Sequence, residues 1–257
     1  PKLSVVTCFL NAEEYIKESL DSVFAQTFQD FELILVNDGS TDNSENVISD
    51  FLKLSNVTYL HNKYNAGVPF SRNKAFLHAK GEYIAIHDAD DVSLEHRFEK
   101  QVNFLDNNLD ITVVGGHALR IGLTGQIIGS MVYPPQNTEQ AFFVIQNFKL
   151  NPIIDPSSMF RKKTILDIGA CRLNPEIKTA QDFDLWCRLL VDGHKIHNIQ
   201  EFLIKYRINP NGVTRLKKEE QELATDLVIA SFRKRSFPKV KIRKSTYLQE
   251  FEIDILN

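Results

Sequence analysis

A chain of 257 residues, 43% hydrophobic and 25% charged, can bury one large core or two closely fused halves, which excludes a disordered polypeptide. Its net charge of −3 argues against a general nucleic-acid binder, because that role takes enough Lys and Arg to displace counterions from phosphates. The cysteines, Cys8, Cys171 and Cys187, stand far apart without Cys-x-x-Cys spacing, which speaks against a disulfide framework or a zinc site and fits a reducing cytosol.

The first half alternates short β-branched runs with helical patterns, the signature of parallel strands covered by helices. Strands are expected at residues 4–9, 31–36, 57–61 and 83–87. Between the first two, Ile16, Leu20, Val23 and Phe24 recur at helical spacing, and Asn11 with Glu14 three residues later reads as a capping box for a helix over 12–25. Thr41 or Asp42 is placed to cap a second helix, and Pro69 to begin a third that Gly81 closes. The second half is less regular. Residues 111–129 have a hairpin-like order, 138–147 a short helical pattern, and 182–191 a helix ended by Gly193 with Phe183, Trp186 and Leu190 on one face. The break between the halves falls near Gly116. No apolar run approaches the roughly 18 residues that cross a bilayer, and no basic-then-apolar leader opens the chain, so a soluble protein is expected. Residues 233–244 carry a basic cluster without an acid, which reads either as a solvated helix and tail or as a segment drawn to anionic lipid.

In open sheets of this kind, ligands sit beyond the carboxyl ends of the strands. Here those ends are polar: Asn11, then Asn37-Asp38-Gly39-Ser40, then residues 62–67, then Asp88-Ala89-Asp90-Asp91, and all four should converge on one rim. Clustered carboxylates repel unless a cation holds them together, and oxygen ligands favour magnesium or manganese, which keep positions open for substrate phosphates. An Asp-x-Asp by itself is more often a solvated turn or cap. Asp38 can accept a hydrogen bond from a base N–H while Gly39 lets backbone approach closely; residues 40–42 read as the cap of the next helix. His87 points by strand alternation away from Asp88 and reads as a packed residue; Asp184 reads as surface and Trp186 as core.

The two acidic strand ends, the opening Ser4-Val5-Val6-Thr7 with Asn11-Ala12-Glu13-Glu14-Tyr15-Ile16, and Leu20-Asp21-Ser22-Val23 through Gln26-Thr27 resemble family 2 glycosyltransferases. The likeness continues through Asn65-Ala66-Gly67 and Ser71-Arg72-Asn73 to Gln181-Asp182 and Tyr206-Arg207. It implies an α/β GT-A fold, two abutting Rossmann-like halves around a mostly parallel central sheet. Residues 1–116 would bind the nucleotide sugar and 117–216 the acceptor, with a helical and basic extension over 217–257. It also implies an inverting glycosyltransferase, hexosyl or N-acetylhexosaminyl in type, that moves sugar from a nucleotide diphosphate donor, commonly a UDP-sugar, to an acceptor hydroxyl. Asp38 would read the nucleobase with Thr7, Leu10, Asn11 and Arg72 nearby. Asp88 would hold the ribose or a metal-bound water, and Asp90 would bind Mn2+ or Mg2+ directly. Asp182, at the start of a late helix whose dipoles keep it ionised, would be the general base; without the resemblance it reads as an ordinary helix cap. Gln181, Arg207 and Asn209 are further site candidates.

Departures from the family pattern fall at Leu10, where an aromatic is usual, and at Asn209, where a His is common; Arg207 or Arg215 then remains to supply positive charge. Residues 209–212 are expected to order around substrate. The rival readings are a nucleotidyltransferase, which normally carries a glycine-rich basic loop where this chain has Leu10-Asn11-Ala12-Glu13, and a non-catalytic nucleotide or sugar binder. A cytoplasmic enzyme is expected, visiting the inner membrane surface where lipid-linked saccharide acceptors are presented.

Overall fold

The computed structural model describes residues 1–210 and 217–237, so Arg215, Gly212 and the basic run beyond 237 lie outside the described residues. Nine described strands form one sheet: β1 (Leu3–Phe9), β2 (Phe31–Asn37), β3 (Val57–His61), β4 (Tyr83–Ile86), β5 (Val92–Ser93), β6 (Ile111–Ile121), β7 (Ile127–Met131), β8 (Met159–Arg161) and β9 (Lys195–Arg207). They run in the order β3-β2-β1-β4-β8-β6-β9-β5, with β7 hairpinned onto β6. The first four pair in parallel, β8 bridges β4 and β6 in antiparallel, and β6 pairs with β9 in parallel along the longest register. Most of the paired length is therefore parallel. Strand order reverses beside β1: β2 and β3 lie on one side and β4 on the other, which opens a crevice at the carboxyl ends of β1 and β4.

The predicted strands agree with the observed ones to within a residue at each end. The helices are α1 (Ile16–Phe24), α2 (Ser44–Val47), α3 (Val68–His78), α4 (Arg97–Asn107), α5 (Thr138–Phe148), α6 (Lys162–Asp167), α7 (Gln181–Val191) and α8 (Lys218–Arg233). α1 starts four residues later than the capping box predicts. Asn11 sits in the left-handed region at φ 52°, and its Oδ1 accepts from the Thr41 N–H at 2.8 Å, so the side chain joins two loops and does not cap a helix. Asp42 accepts from both the N–H and the Oγ–H of Ser44, at 3.1 and 2.6 Å, but the N-cap position of α2 is Asn43, without a side-chain cap, and not Thr41 or Asp42. Gly81 does not close α3, which ends at His78. It lies where a Cβ would come within 2.6 Å of the Ser4 backbone N, so it lets the chain pass close beside β1. Gly116 falls in the middle of β6, against Leu203 of β9.

Alternate strand residues feed opposite faces. Leu3, Val5, Phe9, Leu33 and Leu35 pack with Ile16, Leu20, Phe98 and Leu105 under α1 and α4. On the other face, Val6, Ile34, Val36, Ile84 and Phe160 pack with Phe76, Ile145, Trp186 and Leu189 under α3, α5 and α7. α8 lays Ala224, Val228, Ile229 and Phe232 into this second core, so the helix predicted for the C-terminal extension is packed and not merely solvated. Both faces of the sheet are thereby covered, which leaves its carboxyl edge as the place where polar groups face a cleft.

Candidate active site

After β4 the chain turns through residues 87–91 and is pinned on the far side by β5, where Val92 lies opposite Lys205 of β9. The turn is held from beneath. His87 bonds Ser19 Oγ at 2.7 Å and Ser93 Oγ at 3.1 Å, and Arg97 of α4 donates to the Ile86 carbonyl at 2.8 Å and to Ser93 Oγ at 3.0 Å. Burial and the Arg97 charge push the His87 imidazole down to about 3, so it stays neutral; it is the packed residue that strand alternation predicts. Arg207 secures the other side. Its N–H donates to Asp91 Oδ1 at 2.8 Å and its guanidinium to Asp90 O, Gly122 O, Leu123 O and Glu18 Oε2, over the face of Tyr15.

The three acids of this turn are all harder to ionise than a free carboxyl. Loss of solvent, together with Asp155, Asp90 and Asp182 and against the pull of Arg72, raises Asp88 to about 7. Loss of solvent also raises Asp90, against Arg207, and raises Asp91 well above the usual range with help from Asp90 and Asp88. Asp91 Oδ2 is buried and finds no hydrogen-bond partner among the described residues. Such a cluster fits a hard divalent cation, which stabilises the ionised forms that crowding disfavours. Among the described residues no three His, Cys, Asp or Glu side chains close a cage. Asp90, with Asp88 beside it, could offer carboxylate oxygen to such an ion, the remaining positions being left to phosphate oxygens and water.

Arg72, on α3 and only 6% exposed, joins this turn to the rest of the cleft. Its guanidinium meets Asp155 Oδ2 at 2.6 Å, Asp88 Oδ1 at 3.4 Å and Gln181 Oε1 at 3.3 Å. One side chain thus ties the end of β4, the turn before β8 and the first turn of α7. Beside it, Asp182 accepts from Asn151 Nδ2 at 2.7 Å. Loss of solvent and the Asp155 charge, against Arg72, push the Asp182 carboxyl up to about 6.

At the β1–β2 end of the rim, Thr7 is wholly buried and its Oγ1 finds no partner among the described residues. Asp38 is clamped: Oδ1 accepts from Asn62 Nδ2 at 2.8 Å and the Ala66 N–H at 2.9 Å, and Oδ2 from the Gly67 N–H at 2.9 Å. Leu10 follows β1 with 41% of its surface exposed, Asn11 is exposed, and Asn209 follows β9 half-buried. Gly39 has φ +80° and lies so close to Tyr64 that a Cβ would fall 2.7 Å from that residue's carbonyl carbon, which explains a glycine here.

Arg207, expected with Arg215 as a source of positive charge at the site, spends its donors inside the protein and fixes the acidic turn. Asp184, expected on the surface, is fully buried between Arg172 and Arg188, with Arg188 Nε at 2.9 Å. Asp155 was missed. A single Asp in an irregular loop carries no periodic signal, and only the fold brings it to Arg72.

The mostly parallel sheet with its crevice at a strand-order reversal, flanked by an acidic strand end and a helix-borne carboxylate, is a GT-A fold. The chain belongs to glycosyl transferase family 2, whose sequence profile matches residues 4–168. It is 34% identical over 225 residues to the uncharacterized glycosyltransferase MJ1057 of Methanocaldococcus jannaschii, covering 86% of this chain and 76% of that one. It is 32% identical over 212 residues to the O-antigen biosynthesis glycosyltransferase WbnJ of Escherichia coli, covering 80% of each. In fold it is similar to S. aureus TarS 1-349 in complex with UDP-GlcNAc, with a TM-score of 0.64 at 21% identity over 91% of this chain and 72% of that one. The mannosyltransferase PcManGT from Pyrobaculum calidifontis in complex with GDP-Man and Mn2+ also gives 0.64, at 14% identity over 100% of this chain and 81% of that one. Among the described residues, no helix is long and apolar enough to cross a membrane.

Proposed function

We propose that this glycosyltransferase takes its sugar from a nucleotide diphosphate donor, a UDP-sugar first among the candidates, and passes it with inversion to a hydroxyl of a saccharide or lipid-linked saccharide. The observation that carries the reading is the Arg72 junction, whose guanidinium meets both Asp88 and Gln181, the neighbour of Asp182, and so brings two acids far apart in sequence to one cleft. The nucleotide sugars in TarS and PcManGT support the donor class, and the role of WbnJ in O-antigen biosynthesis supports a cell-envelope polysaccharide as the destination. A lipid-linked acceptor would bring the enzyme to the inner membrane surface.

The nucleobase goes to the β1–β2 end. Thr7 Oγ1 lacks a partner there, Asp38 Oδ2 keeps a lone pair for a base N–H, and Leu10 covers the ring at the mouth. The backbone clamp on Asp38 fixes that carboxylate before ligand arrives. Asp90 would hold Mn2+ or Mg2+ directly, and Asp88 the ribose or a metal-bound water; an ion held there would supply Lewis-acid neutralisation of the leaving diphosphate. Arg207 keeps the acidic turn in position. Asp182 takes the proton from the acceptor hydroxyl as it attacks, and displacement from the opposite face inverts the anomeric centre.

The test is a panel of nucleotide sugars with and without manganese, following release of nucleoside diphosphate. Metal-dependent release from one donor is expected; no binding of any donor in the presence of metal sinks the reading, and release of pyrophosphate would make the enzyme a nucleotidyltransferase. A base must be ionised to work. With the Asp182 carboxyl near 6 in the free protein, turnover is expected to rise as pH passes upward through that value. Asn151→Ala removes an N–H that favours the ionised form, so the rising limb of the pH–rate profile should move to higher pH. An unmoved limb would take Asp182 out of the titration that controls the rate.

A further inference from the structure

Direct displacement requires the donor's anomeric carbon to lie between the leaving diphosphate and the attacking hydroxyl. In this cleft that places the sugar ring between the Asp88–Asp90 turn and Asp182. Asp155 stands in this interval. Its Oδ2 pairs with Arg72, which itself reaches Asp88 on one side and Gln181, next to Asp182, on the other. Its Oδ1 is buried and finds no hydrogen-bond partner among the described residues. The side chain is only 12% exposed, and a carboxylate oxygen held this way is costly to leave unpaired. The backbone that carries it is fixed. It belongs to a 3₁₀ turn, Asp155–Ser157, in which the Ser157 N–H donates to Ile154 O at 2.8 Å while the Ser158 N–H and hydroxyl donate to Asp155 O at 2.9 and 2.7 Å.

The geometry points to Asp155 as a ligand of the donor's sugar ring, with Oδ1 accepting a hydrogen bond from a ring hydroxyl while Oδ2 holds Arg72 on the cleft floor. A fixed carboxylate is an acceptor only, so it binds a pyranose that presents a hydroxyl in that direction and discriminates against the epimer that does not. Asp155 is thus a determinant of which hexose is transferred. The inference rests on the reading of the cleft as a nucleotide-sugar site.

The experiment compares wild type, Asp155→Asn and Asp155→Ala by calorimetry with manganese. The ligands are the nucleoside diphosphate alone, the nucleotide sugar that wild type turns over, and its C4 epimer. The expected result is diphosphate affinity within about 3-fold of wild type, affinity for the preferred donor lower by about 10- to 100-fold, and loss of its preference over the epimer. Diphosphate and donor affinities that fall in parallel would show that Asp155 acts only by positioning Arg72, and would overturn the proposal. So would an unchanged epimer preference. Should the variants fail to fold, a crystal structure of the wild type with a non-hydrolysable phosphonate analogue of the donor decides: a ring hydroxyl within about 3.2 Å of Oδ1 supports the assignment, and a sugar placed elsewhere overturns it. The two readings fail separately. Wild type that binds no nucleotide sugar ends both, whereas donor binding indifferent to Asp155 ends only this one.

Discussion

Asp182→Asn is expected to lower sugar transfer by about 10³-fold while leaving affinity for the nucleoside diphosphate and metal undiminished. Asn has the same shape, and its amide oxygen can still accept from Asn151 Nδ2, so the first turn of α7 should keep its geometry. What it loses is basicity. The sign of the binding change follows from the electrostatics: Asp182 is one of the carboxylates that make Asp88 harder to ionise, so removing its charge favours ionised Asp88 and repels the donor's diphosphate less. Donor affinity should therefore stay level or tighten as turnover collapses. The check is donor affinity by calorimetry beside steady-state release of nucleoside diphosphate at saturating acceptor. Transfer within tenfold of wild type would remove Asp182 from the base role. The helix-cap alternative is already weak, because the N-cap position of α7 is Ala180 and has no side-chain cap.

The first half of the chain was readable because its strands are short β-branched runs separated by turn residues, and each ends in polar groups that have no place in a core. That pattern marks the rim on which Asp38, Asp88 and Asp90 lie. The errors have physical causes. Asn11 with Glu14 matches the capping-box spacing, but the loop–loop bond from Asn11 to Thr41 competes for the same side chain and wins. Gly81 follows a helix as a terminator would, yet its role comes from the Ser4 backbone packed against it, a contact between segments that local sequence does not encode. Arg207 and Asp155 were illegible for the same reason. The partners of Arg207 come from α1, the acidic turn and the β6–β7 turn, and Asp155 gains meaning only when β8 carries its preceding turn up to α3.

Asp184→Ala should cost about 3–5 kcal/mol of folding stability, the largest effect expected of any single substitution here. The helix turns about 100° per residue, so a side chain two positions after Asp182 leaves the cleft on the opposite side. Sequence reasoning placed solvent there, but α7 is buried from Phe183 through Leu190, since α8 and the loop after α6 close over its far side. A helix buried from residue 183 through 190 has no solvent face there, and its Asp184 and Arg188, at i,i+4, are paired inside. Asp184 accepts from Arg172 Nε at 3.0 Å and Arg188 Nε at 2.9 Å, while Arg188 also donates to Ile168 O at 2.8 Å and to Ala170 O. Alanine would leave two guanidiniums, at 8% and 6% exposure, without a counter-charge. That penalty belongs to the stranded charges and not to lost packing, so replacing all three with apolar residues of similar size should recover most of the stability. Urea denaturation of the single and triple variants decides between the two accounts. A loss below about 1 kcal/mol in the single variant would mean that water reaches the arginines. A large loss that the triple variant repairs would show that the protein keeps this ion triad at a cost in stability that an apolar core would not incur.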